Sequence, residues 1–343
     1  KASVHVVNGF DMDLRVVPSK SYGAALQYFT GSQDHNIATR KIAIDKGLKL
    51  SEYGVFRGAK IIAGKTEEEV YKAIGLPWIP PEIRENTGEI QAALDGALPE
   101  LVDIKDIKGD LHCHSNWNGG KHSIEVMAQM AMSLGYAYIG ISDHSKTLKI
   151  ENGLDEKQLL AQRKEIQKLN LKLQTTNPKF RILQGVEADI LKDGSIDIKD
   201  KVLAQLDYVI ASVHLNTKMP KKEMMARIKK AMENPNVDII AHPTGRIVGK
   251  REEYEHDFDQ LLQIAKKTGT ILEINSSTRL DLRDLYIRRA KSERVKMIIN
   301  TDSHKKEQMD LMEYGISQAR RGWAEKKDII NTGSAEEFLK SLK

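Results

Sequence analysis

The sequence predicts an α/β chain whose larger part is a closed or nearly closed β/α barrel, and three observations carry that prediction. Beyond residue 107, short apolar runs rich in Val, Ile and Tyr alternate with amphipathic stretches of helical period. Such alternation builds parallel strands joined by crossover helices. Seven strand candidates follow one another, at about 107–113, 137–142, 181–188, 207–213, 237–241, 270–275 and 296–300. Nearly every one ends in a residue type that binds metal ions. In barrels of this kind that end, where the following loops converge, is where active sites are built.

The 343 residues leave room for about two domains. Residues 1–58 hold 8 Lys+Arg against 5 Asp+Glu, residues 59–107 hold 5 against 10, and the remainder 40 against 33. The acidic middle block contains "GLPWIPPEIREN" (75–86), whose three prolines interrupt any long helix. It is therefore expected to be a linker (59–107) between an N-terminal domain (1–58) and a barrel domain (108–343). In the barrel domain, "SIEVMAQMAMSL" (123–134), "DEKQLLAQRKEIQKLNLKL" (155–173) and "DFDQLLQIAKKT" (257–268) carry helical periodicity.

Composition narrows the classes. No apolar run approaches the roughly 18 residues needed to span a bilayer, and the start lacks a signal-peptide layout, so a soluble cytoplasmic protein with no membrane partner is expected. The single cysteine, Cys113, excludes an internal disulfide and fits a reducing compartment. A net charge of +5 permits a polyanionic partner without requiring one, and gives no oligomeric state. The first residue is Lys, as expected of a piece of a longer chain.

The strand ends carry the chemistry. The first strand delivers His112 and His114 in "DLHCHS", the second Asp143 and His144 in "ISDHS", and the third Glu187 in "GVEADI". The fourth ends in His214, the fifth in His242, the sixth carries Glu273 and Asn275, and the last ends in Asp302 and His304. Alternate residues of a strand share a face, so His112 and His114 can reach one ion while Cys113 points away. Histidine and carboxylate ligands without thiolate suit zinc, manganese or iron, and so many of them exceed one ion's needs. A multinuclear centre is expected, of the kind that hydrolyses phosphate esters, with amide or C–N hydrolysis open on ligands alone.

Taken in order, "DLHCHS", "ISDHS", "GVEADI", "SVH", "AHPTGR" and "NTDSH" resemble the polymerase and histidinol phosphatase (PHP) family of metal-dependent phosphoesterases, over about residues 105–343. The resemblance implies a distorted seven-unit β/α barrel holding two to three divalent ions (Mn²⁺ or Zn²⁺, with Fe²⁺ as an alternative). It gives one ion to His112, His114, Glu187 and Asp302, a second to Glu187, His214 and His242, and a third to His144 and His304. Glu187, His214 and Asp302 would be catalytic. The family's further ligand just after H-x-H is replaced here by Asn118-Gly119-Gly120, with His122 a nearby substitute.

The first block, from Asp13 to Phe56, resembles the end of the palm and the small α+β thumb of a family X DNA polymerase, through "YFTGS" followed by Asn36 and Arg40. That resemblance implies a metal-binding role for Asp13, contacts with the incoming nucleotide for Tyr28, Phe29 and Asn36, and a template contact for Arg40. The family's G-D-x-D step lies upstream of this region, so no autonomous polymerase activity is expected without the N-terminal polymerase part of a parent chain. Together the two resemblances imply a 3′–5′ exonuclease or 3′-end-processing activity on DNA primer ends, with Arg246 holding phosphate oxygens. The alternatives are a small-molecule phosphate monoesterase of the histidinol-phosphatase type and a non-catalytic polymerase scaffold.

Overall fold

The computed structural model describes residues 2–7 and 9–343, which divide into two units, one ending at Pro99 and the other Glu100–Lys343. No helix among the described residues is long and apolar enough to cross a membrane.

In the first unit, β1 (Ala2–His5) and β2 (Asp11–Leu14) form an exposed antiparallel pair. Then come α1 (Tyr22–Thr30) and α2 (Gln33–Asp45), the antiparallel meander β3 (Lys49–Ser51), β4 (Gly54–Arg57) and β5 (Lys60–Ala63), and α3 (Glu67–Ala73) and α4 (Glu89–Leu94). Ser32 and Thr66 cap α2 and α3 by accepting from amides that the first turn leaves open.

The structure differs from the linker expectation for 59–107, because the unit boundary falls after Pro99. The prolines of "GLPWIPPEIREN" stop helices without freeing the chain. Leu76, Ile79 and Ile83 are buried, and Arg84 is buried completely. Its guanidinium donates to Glu67 Oε1 and Thr30 Oγ1, both at 2.6 Å, and to the Ile79 carbonyl at 2.8 Å. A buried charge held by a carboxylate and two further acceptors ties this stretch into the first unit, since breaking such a pair is costly. Proline content therefore marked a segment without long helices, not a connector.

In the second unit, the strands are β6 (Gly109–Cys113), β7 (Tyr138–Ile141), β8 (Arg181–Gln184), β9 (Glu187–Asp189), β10 (Ile210–Ser212), β11 (Ile239–Ile240), β12 (Ile271–Asn275) and β13 (Met297–Asn300). Between and after them lie α5 (Ile124–Ser133), α6 (Glu156–Thr176), α7 (Asp200–Leu203), α8 (Lys221–Met232), α9 (Phe258–Thr268), α10 (Asp284–Ser292), α11 (Met312–Arg321) and α12 (Ala335–Lys340). All ladders are parallel, in the orders β6-β7-β8 and β9-β10-β11-β12-β13. Two seams close the ring. At one, the His114 amide donates to the Ser303 carbonyl and the Ser303 amide to the His112 carbonyl. At the other, the Ser145 amide donates to the Glu187 carbonyl.

The predicted third strand breaks at Gly185-Val186, so that β8 pairs with β7 and β9 with β10. Adjacent strand residues fall into two buried clusters, as strand geometry requires. Leu111, Tyr138, Leu183, Tyr208, Ile210, Ile239, Ile271 and Ile298 fill the interior with Phe338 of α12. Cys113, Ile139, Ile182, Ala211, Ile240, Leu272 and Ile299 pack in the layer shared with the helices. Tyr208 fits inside because Gly140 and Gly185 lack a Cβ, which would stand 2.2 and 2.4 Å from it.

Candidate metal centre

The loops leaving the C-terminal ends of the strands bring the predicted histidines and carboxylates together. Ligand atoms of His112, His114, Glu187 and Asp302 lie within 4.8 Å of one another, as do those of His114, His144 and His304, and those of His144, Glu187 and His214. Glu187 is central. Its Oε2 is 2.7 Å from His144 Nδ1 and 3.2 Å from His112 Nε2, and its Oε1 is 3.1 Å from His214 Nε2 and 3.0 Å from His242 Nε2. Asp302 Oδ1 is 3.2 Å from His114 Nε2 and 3.6 Å from His112 Nε2. His144 Nε2 and His304 Nε2 are 3.4 Å apart.

Cys113 packs in the outer layer while its two histidine neighbours converge, as alternation predicts. Asp302 (φ 55°) and His242 (φ 30°) adopt the left-handed backbone region, which costs a non-glycine residue energy and is concentrated at functional sites. The polar atoms are incompletely matched. His112 Nε2, both ring nitrogens of His114, His144 Nδ1 and Glu187 Oε2 are buried without a hydrogen-bond partner. Unsatisfied buried donors and acceptors are uncommon, and here they point at one another. This donor set fits divalent cations.

Electrostatics follows from the crowding. Burial raises the Glu187 carboxyl, but His112, His214 and His144 outweigh it and hold the group well below the usual carboxylate range. Asp302 is held low in the same way, against burial, chiefly by His112. Burial opposes protonation of His214, yet Glu187 and Asp189 carry its pKa up to about 10. His242 goes the other way, down to about 4, through burial and the Arg279 charge. Ligation requires unprotonated ring nitrogens, so filling this site releases protons.

The supporting contacts could not be read from the sequence, although Glu273 was noted there as a ligand type. Glu273 accepts from His112 Nδ1 at 2.7 Å and from the His242 amide at 2.9 Å, and Asp189 holds His214 Nδ1 at 3.1 Å. Each fixes a ring so that its Nε2 faces Glu187, the usual outer-shell arrangement around a ligating histidine. The expected phosphate group, Arg246, has its Nε and Nη2 on the Arg279 and Leu280 carbonyls. The cation at the cluster is Arg279, with Nε 3.6 Å from Asp302 Oδ2 and Nη1 buried without a partner. His122 joins none of the three groups, and its Nδ1 accepts from the Lys306 amide.

In the first unit, Asp13 on β2 accepts from Ser3 Oγ at 2.6 Å. Phe29 is 50% exposed, edge-on to Tyr28 and under the Arg15 guanidinium. The Asn36 amide is committed to the protein: it donates to the Tyr28 and Gly31 carbonyls and accepts from Gln27, latching the turn between α1 and α2. Arg40 is exposed on α2, with Nε on the Asn36 carbonyl.

Comparison with known proteins matches residues 25–85 to the DNA polymerase beta thumb and residues 110–277 to the PHP domain. The DNA polymerase/3′-5′ exonuclease PolX of Bacillus subtilis is 46% identical over 96% of this chain, which spans 58% of that protein's length. A probable phosphatase of Thermoanaerobacter sp. is 31% identical over 47% of this chain and 69% of its own. Among solved structures, a Lactococcus lactis histidinol phosphate phosphatase complexed with zinc, L-histidinol and phosphate aligns over 62% of this chain and 93% of its own. That alignment has 17% identity and a TM-score of 0.43.

Proposed function

The chain belongs to the PHP domain family and carries a DNA polymerase beta thumb ahead of that domain, and on that premise we propose that it is a metal-dependent phosphodiesterase that trims DNA from the 3′ end. The observation that carries this reading is the convergence of six histidines, Glu187 and Asp302 with mutually facing, unpartnered ligand atoms. Two or three divalent ions, Mn²⁺ or Zn²⁺, with Fe²⁺ as the alternative, would when bound supply a nucleophilic water at neutral pH and offset charge at phosphorus.

In this reading His112, His114, Glu187 and Asp302 would hold one ion, Glu187 with His214 and His242 a second, and His144 with His304 a third. His144 also stands close enough to Glu187 to share the second. Glu273 and Asp189 keep the His112 and His214 rings oriented. Arg279, rather than Arg246, would hold a non-bridging phosphate oxygen, because its Nε lies 3.6 Å from Asp302 Oδ2 and its Nη1 has no partner, while two Arg246 nitrogens are already bonded. Phe29 and Arg40, with Tyr28 behind, contact the DNA, and Asn36 serves by holding their turn. The Asp13 carboxylate would belong to a polymerase centre completed by further residues of a longer protein, and the cytoplasm is the working compartment.

A second reading, hydrolysis of a small phosphate monoester, is favoured by the barrel's likeness to probable phosphatases. The thumb weighs against it, since a small-molecule phosphatase has no use for a DNA-gripping unit. The deciding experiment incubates a 3′-recessed duplex, 5′-labelled on the primer strand, or p-nitrophenyl phosphate with the protein and Mn²⁺. A 3′-trimming ladder that disappears in Glu187→Ala and His214→Ala supports the nuclease. Turnover of p-nitrophenyl phosphate alone assigns the second reading, and inertness toward both leaves a polymerase scaffold.

A further inference from the structure

The three-histidine group of His114, His144 and His304 has nitrogen donors only. A divalent ion there would put two positive charges among neutral rings, which calls for an anionic oxygen to complete the set. The candidate lies on a neighbouring loop, outside the group itself. The loop 118–121 is fastened to both outer histidines: Asn118 Nδ2 donates to the His144 carbonyl at 3.2 Å, and the Lys121 amide to the His304 carbonyl at 2.8 Å. Between those anchors lies Gly119. A Cβ there would stand 2.1 Å from Glu151 Oε2, and all three of its nearest neighbours are Glu151 atoms. The Glu151 carboxylate thus fills the space that a side chain at position 119 would occupy.

Glu151 reaches that space from a second loop, which leaves the barrel at His144 and returns to it through the Leu154 amide on the His144 carbonyl at 2.8 Å. Its half-buried carboxylate makes no hydrogen bond or ion pair among the described residues. Asn118 Oδ1, on the facing loop, is buried and likewise unpartnered. Two unpaired oxygens thus flank two loops that are both anchored on His144.

We propose that Glu151 is the anionic ligand of the His114, His144 and His304 site, entering through the space that Gly119 leaves open. The inference rests on the metal-centre reading above. It makes the absence of a side chain at position 119 a requirement: the carboxylate comes from the 147–153 loop, and any residue other than glycine at 119 would displace it. It also makes the swap testable, because shortening Glu151 to Ala clears the two closest contacts from position 119 and leaves only its Cβ at 3.5 Å.

The test counts Mn²⁺ bound by the full chain, and its affinity, by electron paramagnetic resonance of the free aquo ion. Compared are the parent, Glu151→Gln, Glu151→Ala and the double variant Glu151→Ala with Gly119→Asp. The parent is expected to bind three equivalents. In Glu151→Gln and Glu151→Ala one of them should be lost or weakened at least about tenfold, the other two staying as they were. The double variant should regain it. Unchanged stoichiometry and affinity in Glu151→Gln, saturation of the parent at two equivalents, or a loss that Gly119→Asp does not restore would each overturn the inference while sparing the metal centre. A parent that binds no Mn²⁺ would overturn both.

Discussion

The two ends of the barrel are built on the same strands and have opposite chemistry. At the N-terminal end, Tyr138, Tyr208 and Phe338 close an apolar interior, and each tyrosine hydroxyl donates to a carbonyl, of Gly333 and Leu111 respectively. At the C-terminal end, four ring nitrogens and a Glu187 oxygen are buried without a hydrogen-bond partner. Each unmatched buried polar atom costs about 1–3 kcal/mol, so the second end weakens the fold that the first secures. The cost is tolerable if a ligand that binds only the folded state recovers it.

The comparison breaks most sharply at Glu187. Glu187→Gln removes the carboxylate charge whose two oxygens His112, His144, His214 and His242 approach. The proposed phosphodiesterase activity should fall at least about a hundredfold, with bound metal lost on mass spectrometry and the melting temperature in chelator little changed. Phe338→Ala acts at the other end and should do the reverse. Opening the interior beside Tyr138 and Tyr208 is expected to cost about 3–5 kcal/mol in denaturant titrations, with activity per folded molecule retained.

Smaller effects sharpen the contrast. Asp189→Asn leaves His214 in place but loosens its ring, so metal affinity should drop about 10–100-fold by competition with a chelator, with little change in stability. Asp238, where β11 begins, accepts from the Val209 amide at 2.9 Å, and burial raises its pKa to about 6 in spite of that bond. A raised carboxyl favours the protonated form in the folded state. Its stabilising contribution is therefore present below the unfolded pKa of 3.8 and lost as pH rises through about 6. Asp238→Asn should then be about 1–2 kcal/mol more stable than the parent at pH 7, the difference vanishing by about pH 4, as thermal melts across that range would show.

Much of the barrel was legible because its strands are buried on both faces and read as apolar runs, and because each run ends in a ligand-type residue. The H-x-H step could be assigned to one face from strand periodicity alone. What escaped was whatever depends on tertiary partners. Glu273 sits within its strand and was noted as a ligand type, but only the fold shows it holding His112. Asp189, two residues beyond Glu187, carried the signal of a second carboxylate on the same strand face and went unread. Arg246 was placed by its closeness to His242 in sequence, whereas the loop holding Arg279 delivers the cation from the next strand. Prolines that interrupt any long helix, in an acidic stretch, were taken for a linker, although Ile79 and Ile83 are buried.

The most direct test is anomalous scattering from crystals of the chain grown with Mn²⁺, measured for the parent and Glu187→Gln. Peaks within ligand distance of Glu187, His112, His114 and Asp302, and absent from the variant, are the expected result. Density only at surface carboxylates, or none, would contradict a metal centre at the C-terminal end of the barrel.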